Sequence, residues 1–161
     1  MEKLKCAVIG LGRISVMHLN AIMRSLDAEL VAVCDIDEEK LNTAVQKFGV
    51  NGYSDYEEML NNEKLDVVHI CLPHYLHVPV SLAAFKRGVN VLCEKPMSIS
   101  YADAVTAVEA AEKANLRYGI IFQCRFNDSS VLVKNAVTSG KLGKILSASS
   151  FLTWSRSDDY Y

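Results

Sequence analysis

Val8-Ile9-Gly10-Leu11-Gly12-Arg13-Ile14-Ser15 joins the end of an apolar run, Cys6-Ala7-Val8-Ile9, to the start of a helical pattern. Strand, glycine-rich turn and helix in that order build a phosphate site from main chain alone. Gly10 permits the tight turn. Gly12 has no Cβ, so a pyrophosphate can approach the N–H groups at the helix N-terminus. An acidic residue is expected about 20 residues further on, and Asp35 closes the next apolar run, Leu30-Val31-Ala32-Val33-Cys34. A carboxylate there accepts from both hydroxyls of an adenosine ribose and repels a 2′-phosphate. The glycines alone would also suit a turn in an α/β protein that binds nothing; the two flanking strands and Asp35 favour the ligand.

Working outward, apolar runs and helical patterns alternate with short connections, which predicts a doubly wound, mostly parallel sheet with helices on both faces. Strands are expected at Leu4–Ile9, Glu29–Cys34, around Gly52–Ser54, at Asp66–Cys71, Asn90–Cys93 and Arg117–Phe122. The first helix should run from Arg13 to Ser25 and bury Ile14, His18, Ala21, Ile22 and Ser25 by 3.6-residue periodicity. His18, on that apolar face, reads as a buried, hydrogen-bonded histidine. Asp37 is placed to cap a helix that stops before Gly49, and Tyr56–Leu60 forms a small one. Val78–Arg87 is helical, with Pro79 in its first turn and Gly88 as its stop. Ser100-Tyr101-Ala102-Asp103 resembles a capping box for a helix that reaches about Asn115.

After that the character changes. Asp128–Ser139 reads as a helix, Gly140–Gly143 as a turn and Ile145–Trp154 as a long strand with no partner after it. The expected division is a nucleotide-binding domain over 1–123 and the truncated start of a second, α+β domain over 124–161.

The composition is that of an ordinary globular protein: 161 residues, 50% hydrophobic, 22% charged, net charge −2. That balance gives no electrostatic case for nucleic acid or an anionic membrane. No apolar run approaches the roughly 20 residues of a membrane span. Met1-Glu2-Lys3-Leu4-Lys5 leads straight into a strand, so no signal peptide is expected. The five cysteines lie in or beside apolar runs, where they act as small hydrophobes; this suits a reduced, cytoplasmic setting.

Two further clusters follow strand ends. Cys71-Leu72-Pro73-His74-Tyr75-Leu76-His77 lies at the carboxyl end of a buried strand, the end that faces the ligand crevice in open α/β sheets. Pro73 fixes a turn against the cofactor, and His77 is positioned to donate to a cofactor oxygen. Cys71, His74 and His77 share a three-residue spacing, but no fourth ligand is evident and no metal is expected. Glu94-Lys95-Pro96 follows the next strand. A lysine partly desolvated there has its ammonium disfavoured and can relay a proton to or from a hydroxyl or carbonyl. The residues alone leave that reading and a solvated loop charge open for Lys95. Glu94 is placed to orient it or to touch ribose.

Together the three motifs resemble the glucose-fructose oxidoreductase / inositol dehydrogenase / MocA-type family of NAD(P)-dependent oxidoreductases. The likeness rests on Val8–Ile14 with His18, on Cys71-Leu72-Pro73 with His77, and on Val91-Leu92-Cys93-Glu94-Lys95-Pro96; Gly140–Ile145 resembles a family turn beyond the nucleotide domain. It covers the whole chain, as the first half of a usual member. It implies a Rossmann fold in which Gly10, Gly12, Arg13 and Ile14 hold pyrophosphate and Asp35 holds the ribose of NAD rather than NADP. Cys71, Leu72, Pro73, His74 and His77 would line the nicotinamide half, with Glu94 beside them. Lys95 corresponds to the family's sugar-contacting, proton-transferring lysine. Arg125 and Arg156 are carried over as substrate contacts.

Ser15 stands where many dinucleotide folds have a third glycine, and His74 where the family often has asparagine. The family's Asp-x-x-x-His catalytic segment would lie beyond Tyr161. The implied activity is oxidation or reduction of a sugar, cyclitol or related polyol by a homo-oligomer of family length. This chain by itself would bind NAD with little turnover. A non-catalytic dinucleotide-binding regulator and an NAD-dependent glycoside hydrolase are the alternatives.

Overall fold

A computed structural model describes residues 2–155 and 157. The chain divides into two compact units, Met1–Phe122 and Gln123–Tyr161.

The first unit alternates strand and helix. β1 (Leu4–Ile9), α1 (Ser15–Arg24), β2 (Ala28–Cys34), α2 (Glu38–Phe48), β3 (Asn51–Tyr53) and α3 (Tyr56–Asn62) form its first half. β4 (Val67–Ile70), a 3₁₀ turn (His74–Leu76), α4 (His77–Lys86), β5 (Asn90–Cys93), α5 (Tyr101–Lys113) and β6 (Tyr118–Ile120) complete it. All neighbouring strands pair parallel, in the order β3-β2-β1-β4-β5-β6. This is the doubly wound Rossmann order. The chain leaves β1 toward β2 and later returns to β4 on its other side. The point of reversal opens a crevice at the carboxyl ends of β1 and β4.

Apart from His69 in β4, the buried positions of the central strands are apolar on both faces because helices cover both. Side chains alternate along β1, sending Cys6 and Val8 to a core shared with Leu19 and Ile22 of α1 and Ala44 of α2. Ala7 and Ile9 face the other core, with Met59 of α3, Val80 and Phe85 of α4 and Ala111 of α5.

Helix starts follow the caps read from the sequence. The Asp37 carboxylate accepts from the N–H groups of Glu39 and Lys40, and the Ser100 hydroxyl accepts from that of Asp103. Gly49 ends α2 with φ 67°, and Gly88 follows α4 with φ 75°. α1 starts two residues later than expected, and its buried face is Ser15, His18, Leu19 and Ile22. Ile14 and Ala21 are exposed instead, because the glycine turn takes up the residues before Ser15 and rotates the buried stripe.

In the second unit α6 (Asp128–Thr138) forms as expected. The strand expected at Ile145–Trp154 does not: residues 145–155 carry no sheet structure. A strand needs a neighbour to take its N–H and C=O groups, and among the described residues none follows β6. Ile145, Leu146, Phe151 and Leu152 are exposed accordingly.

Candidate functional site

The glycine turn is the first part of the site. Gly10 has φ 90°, a conformation that glycine reaches without steric cost. A Cβ on Gly10 would sit 2.5 Å from the carbonyl oxygen of Cys71 and 3.1 Å from Cδ2 of Leu72. The turn is therefore pressed against the start of the loop after β4. Gly12 is different: a Cβ there would meet nothing within 4 Å. Its missing side chain leaves open room over an exposed stretch of main chain. No side chain caps the start of α1. The N–H groups of Ser15 and Met17 donate to the carbonyls of Gly12 and Ile14, which leaves those of Gly12, Arg13 and Ile14, just before the helix, for a ligand. Ser15, in the third-glycine position, is buried and donates its hydroxyl to the Gly12 carbonyl at 2.6 Å. A small side chain with a satisfied hydroxyl preserves the close helix approach. Arg13 and Ile14 stand exposed on the turn.

Asp35 locks this turn to the end of β2. One carboxylate oxygen accepts the N–H of Leu11 at 2.6 Å, and the other accepts the N–H of Asp37 at 2.9 Å. A carboxylate has about four lone-pair sites, so two remain for hydroxyl donors. An open glycine cradle beside a half-buried acid fits the pyrophosphate and ribose of a dinucleotide.

The loop after β4 forms the second wall. Cys71 is buried, Leu72 half-buried, and Pro73 and His74 are exposed. Burial, together with the Glu94 carboxylate, pushes the Cys71 thiol up to about 12. Burial likewise holds Cys93 and Cys34 at about 12 and Cys6 at about 11. These four thiols stay protonated and serve as packing. Cys124 departs from the expected pattern and is exposed.

His77 is corrected by the structure. It was expected to donate to a cofactor oxygen, yet the ring is fully buried. Its Nδ1 lies 2.7 Å from the carbonyl oxygen of Pro96 and its Nε2 2.9 Å from that of Leu72. Both ring nitrogens thus face main-chain carbonyls, and neither is open to a ligand. The ring joins the loop after β4 to the loop after β5.

Glu94 is also turned inward. Its Oε1 lies 3.2 Å from Nε2 of His18, and its Oε2 accepts the Lys95 main-chain N–H at 3.2 Å. His18 is buried and hydrogen-bonded, as the sequence suggested. Its Nδ1 meets Nδ1 of His69 at 3.0 Å. Burial, then the neighbouring His18, lowers the pKa of His69 to about 4. Sequence reasoning missed His69, although an imidazole inside an apolar strand run demands a partner and was the signal available. Lys95 is exposed rather than partly desolvated: it stands on the loop past β5, joined to Pro96 by a cis peptide bond.

The structure thus brings Gly10, Asp35, Cys71, Leu72, His77, Glu94 and the Lys95 main chain to one end of one sheet. Arg125 belongs to the second unit and is exposed; Arg156 lies outside the described residues.

A six-stranded parallel sheet with a glycine turn at its switch point defines a dinucleotide-binding Rossmann domain. Residues 4–122 match the glucose-fructose oxidoreductase / inositol dehydrogenase / MocA family, described as an oxidoreductase family with an NAD-binding Rossmann fold, and the chain belongs to it. It is 33% identical over 147 residues to inositol 2-dehydrogenase of Salmonella paratyphi B, covering 89% of this chain and 44% of the relative. It is 36% identical over 145 residues to D-apiose dehydrogenase of Paraburkholderia graminis, covering 89% and 38%. The crystal structure of the WlbA dehydrogenase of Chromobacterium violaceum, in complex with NADH and UDP-GlcNAcA, is similar at a TM-score of 0.86. That match has 33% identity and covers 89% of this chain and 42% of that one. The chain spans less than half the length of the relatives it matches. No helix among the described residues is long and apolar enough to cross a membrane.

Proposed function

We propose that this chain is the dinucleotide-binding part of an NAD-dependent oxidoreductase that acts on a CH–OH group of a sugar, cyclitol or related polyol. One observation carries the reading: the open cradle at Gly12, the Asp35 carboxylate and the Lys95 loop all stand at the carboxyl end of one parallel sheet. Relatives named for inositol and apiose support the substrate class.

Each residue has a task in this reading. Gly12, Arg13 and Ile14 hold pyrophosphate with main-chain N–H groups, and Gly10, whose own N–H donates to the Cys34 carbonyl at 2.8 Å, makes the turn that presents them. Asp35 receives the ribose hydroxyls on its two remaining lone-pair sites and repels a 2′-phosphate, which sets NAD above NADP. Cys71, Leu72, Pro73 and His74 form the wall for the nicotinamide half. When bound, the nicotinamide supplies the hydride acceptor or donor. Lys95 moves the substrate hydroxyl proton at its Nζ. Glu94 acts from beneath, by holding the Lys95 main chain. Arg125 and Arg156 are assigned to substrate binding on the family resemblance alone. The protein acts in the cytoplasm, where its thiols stay reduced, and assembles as a homo-oligomer at family length.

Fluorescence titration of the chain with NADH and NADPH tests the cofactor half. The expected result is saturable NADH binding at least tenfold tighter than NADPH. Absence of saturable NADH binding, or tighter NADPH binding, would overturn it. For the reaction, a protein of family length is assayed with NAD against inositols and aldoses. Lys95→Met should lower kcat at least 100-fold while NADH affinity stays within threefold. Undiminished turnover would remove Lys95 from the chemistry.

A further inference from the structure

Lys95 lies between two residues that are each held by a different buried histidine. On one side, Glu94 is 7% exposed and its Oε1 meets Nε2 of His18, itself 6% exposed, while its Oε2 accepts the Lys95 N–H. On the other side, the Pro96 carbonyl faces Nδ1 of the fully buried His77. The two histidines stand on different helices. His18 belongs to α1, the helix that opens at the glycine turn, and His77 begins α4, the helix that follows the loop after β4.

The hydrogen bonding of each ring sets its direction. A carboxylate accepts only, so His18 must present N–H at Nε2. Its Nδ1 then faces Nδ1 of His69, where one ring carries the proton and the other the lone pair. His69 therefore stops the His18 ring from turning away from Glu94. For His77 both partners are carbonyl acceptors, Pro96 at Nδ1 and Leu72 at Nε2. A ring with one N–H donates to one of them, and the shorter contact, 2.7 Å to Pro96, is the tether to the Lys95 loop. Each ring thus has one contact to a residue flanking Lys95 and one elsewhere, His18 to the buried His69 of β4 and His77 to the loop after β4.

We propose that His18 and His77 are positioning residues that clamp the Lys95 peptide from both sides, so that the lysine is fixed relative to the pyrophosphate helix and to the loop after β4. The proposal rests on the reading of Lys95 as the proton-moving amine. A displacement of about 1 Å at a reacting group can cost roughly 100-fold in rate, which is reason enough for two tethers on an exposed loop.

Paired amide variants separate this role from simple structural support. His77→Asn places a nitrogen near Nδ1 and keeps the Pro96 tether, whereas His77→Gln places one near Nε2 and keeps only the Leu72 contact. For His18 the order reverses: His18→Gln keeps the donor to Glu94 and His18→Asn loses it. The readout is amide hydrogen exchange at Lys95 in the chain, followed by NMR, with the melting temperature recorded for each variant.

His77→Gln and His18→Asn are expected to speed Lys95 exchange at least tenfold. Their partners, His77→Asn and His18→Gln, should stay within threefold of the parent. Equal exchange within both pairs would overturn the clamp, whether all four variants are slow or all four fast. If one pair fails to fold, the other, acting on the opposite side of Lys95, decides the question by the same criterion. The lysine reading fails separately, through undiminished turnover of Lys95→Met, so the two outcomes are distinguishable.

Discussion

Gly10→Ala and Gly12→Ala should behave as opposites, although the glycines are two residues apart in one turn. At Gly10 the φ of 90° would cost an L-residue about 1–2 kcal/mol. The new Cβ would also lie 2.5 Å from the Cys71 carbonyl oxygen and 2.8 Å from its carbon. Those are main-chain atoms that no rotamer change can move aside. Forcing extra volume into a packed position typically costs about 1–3 kcal/mol. The sum is about 2–5 kcal/mol, which corresponds to a fall in Tm of roughly 5–20 °C for a chain of this size.

At Gly12 neither penalty applies. Its φ is not left-handed, and an added Cβ meets nothing within 4 Å. Stability should change by no more than about 0.5 kcal/mol. The methyl group instead occupies the open room where a pyrophosphate would meet the main chain. A tenfold loss in NADH affinity, about 1.4 kcal/mol, is the minimum expected. Urea denaturation and NADH fluorescence titration on the two variants and the parent check both arms. If Gly12→Ala binds NADH as tightly as the parent, the cradle is misassigned. If Gly10→Ala is as stable as the parent, the contact with Cys71 is not what holds the turn.

Asp35→Ser removes the charge that faces the ribose and the two bonds to Leu11 and Asp37; NADH affinity should fall at least tenfold while NADPH loses less, read by parallel titrations. His69 titrates near 4 when folded, below its ordinary 6.5, so the unfolded chain takes up the proton first. Its contribution is complete above about pH 6.5 and is lost as pH falls toward 4, by up to about 3 kcal/mol. Urea titrations between pH 7 and pH 4.5 should show this loss, and the non-titrating His69→Gln should flatten it. Four buried thiols with raised pKa values and an exposed Cys124 predict one fast-reacting thiol in the native chain. Five should react in urea, counted with a chromogenic disulfide reagent.

The doubly wound, parallel class and most element positions were legible because their signals are local. Apolar runs of four to seven residues, Asp37 and Ser100 as caps, and Gly49 and Gly88 as stops each act within one turn of the chain. The glycine turn and Asp35 were legible for a related reason, since the fold places any acid at the end of β2 beside the turn after β1. Ile145–Trp154 shows the limit of such reasoning. Its composition suits a strand, but a strand is a property of a pair, and the sequence of one member does not supply the other.

What the sequence hid is the inward half of the site. Residues 18, 69 and 94 meet only once α1 is laid on the sheet, and no spacing rule connects them. The same holds for His77, whose place in its motif suggested a ligand contact. A histidine at a helix start beside a crevice can face either way, and the deciding fact is that two carbonyls, from loops 24 residues apart at Leu72 and Pro96, converge on its ring. Motif residues in this domain therefore divide by exposure. Those with bare main chain or an exposed side chain, Gly12, Arg13 and Lys95, face where a ligand would lie. Those that are buried, His18, His77 and Glu94, turn inward, and their hydrogen bonds reach His69, the carbonyls of Leu72 and Pro96 and the Lys95 main chain. A motif read without its burial treats both kinds as contacts, and that is how His77 came to be expected at the cofactor itself.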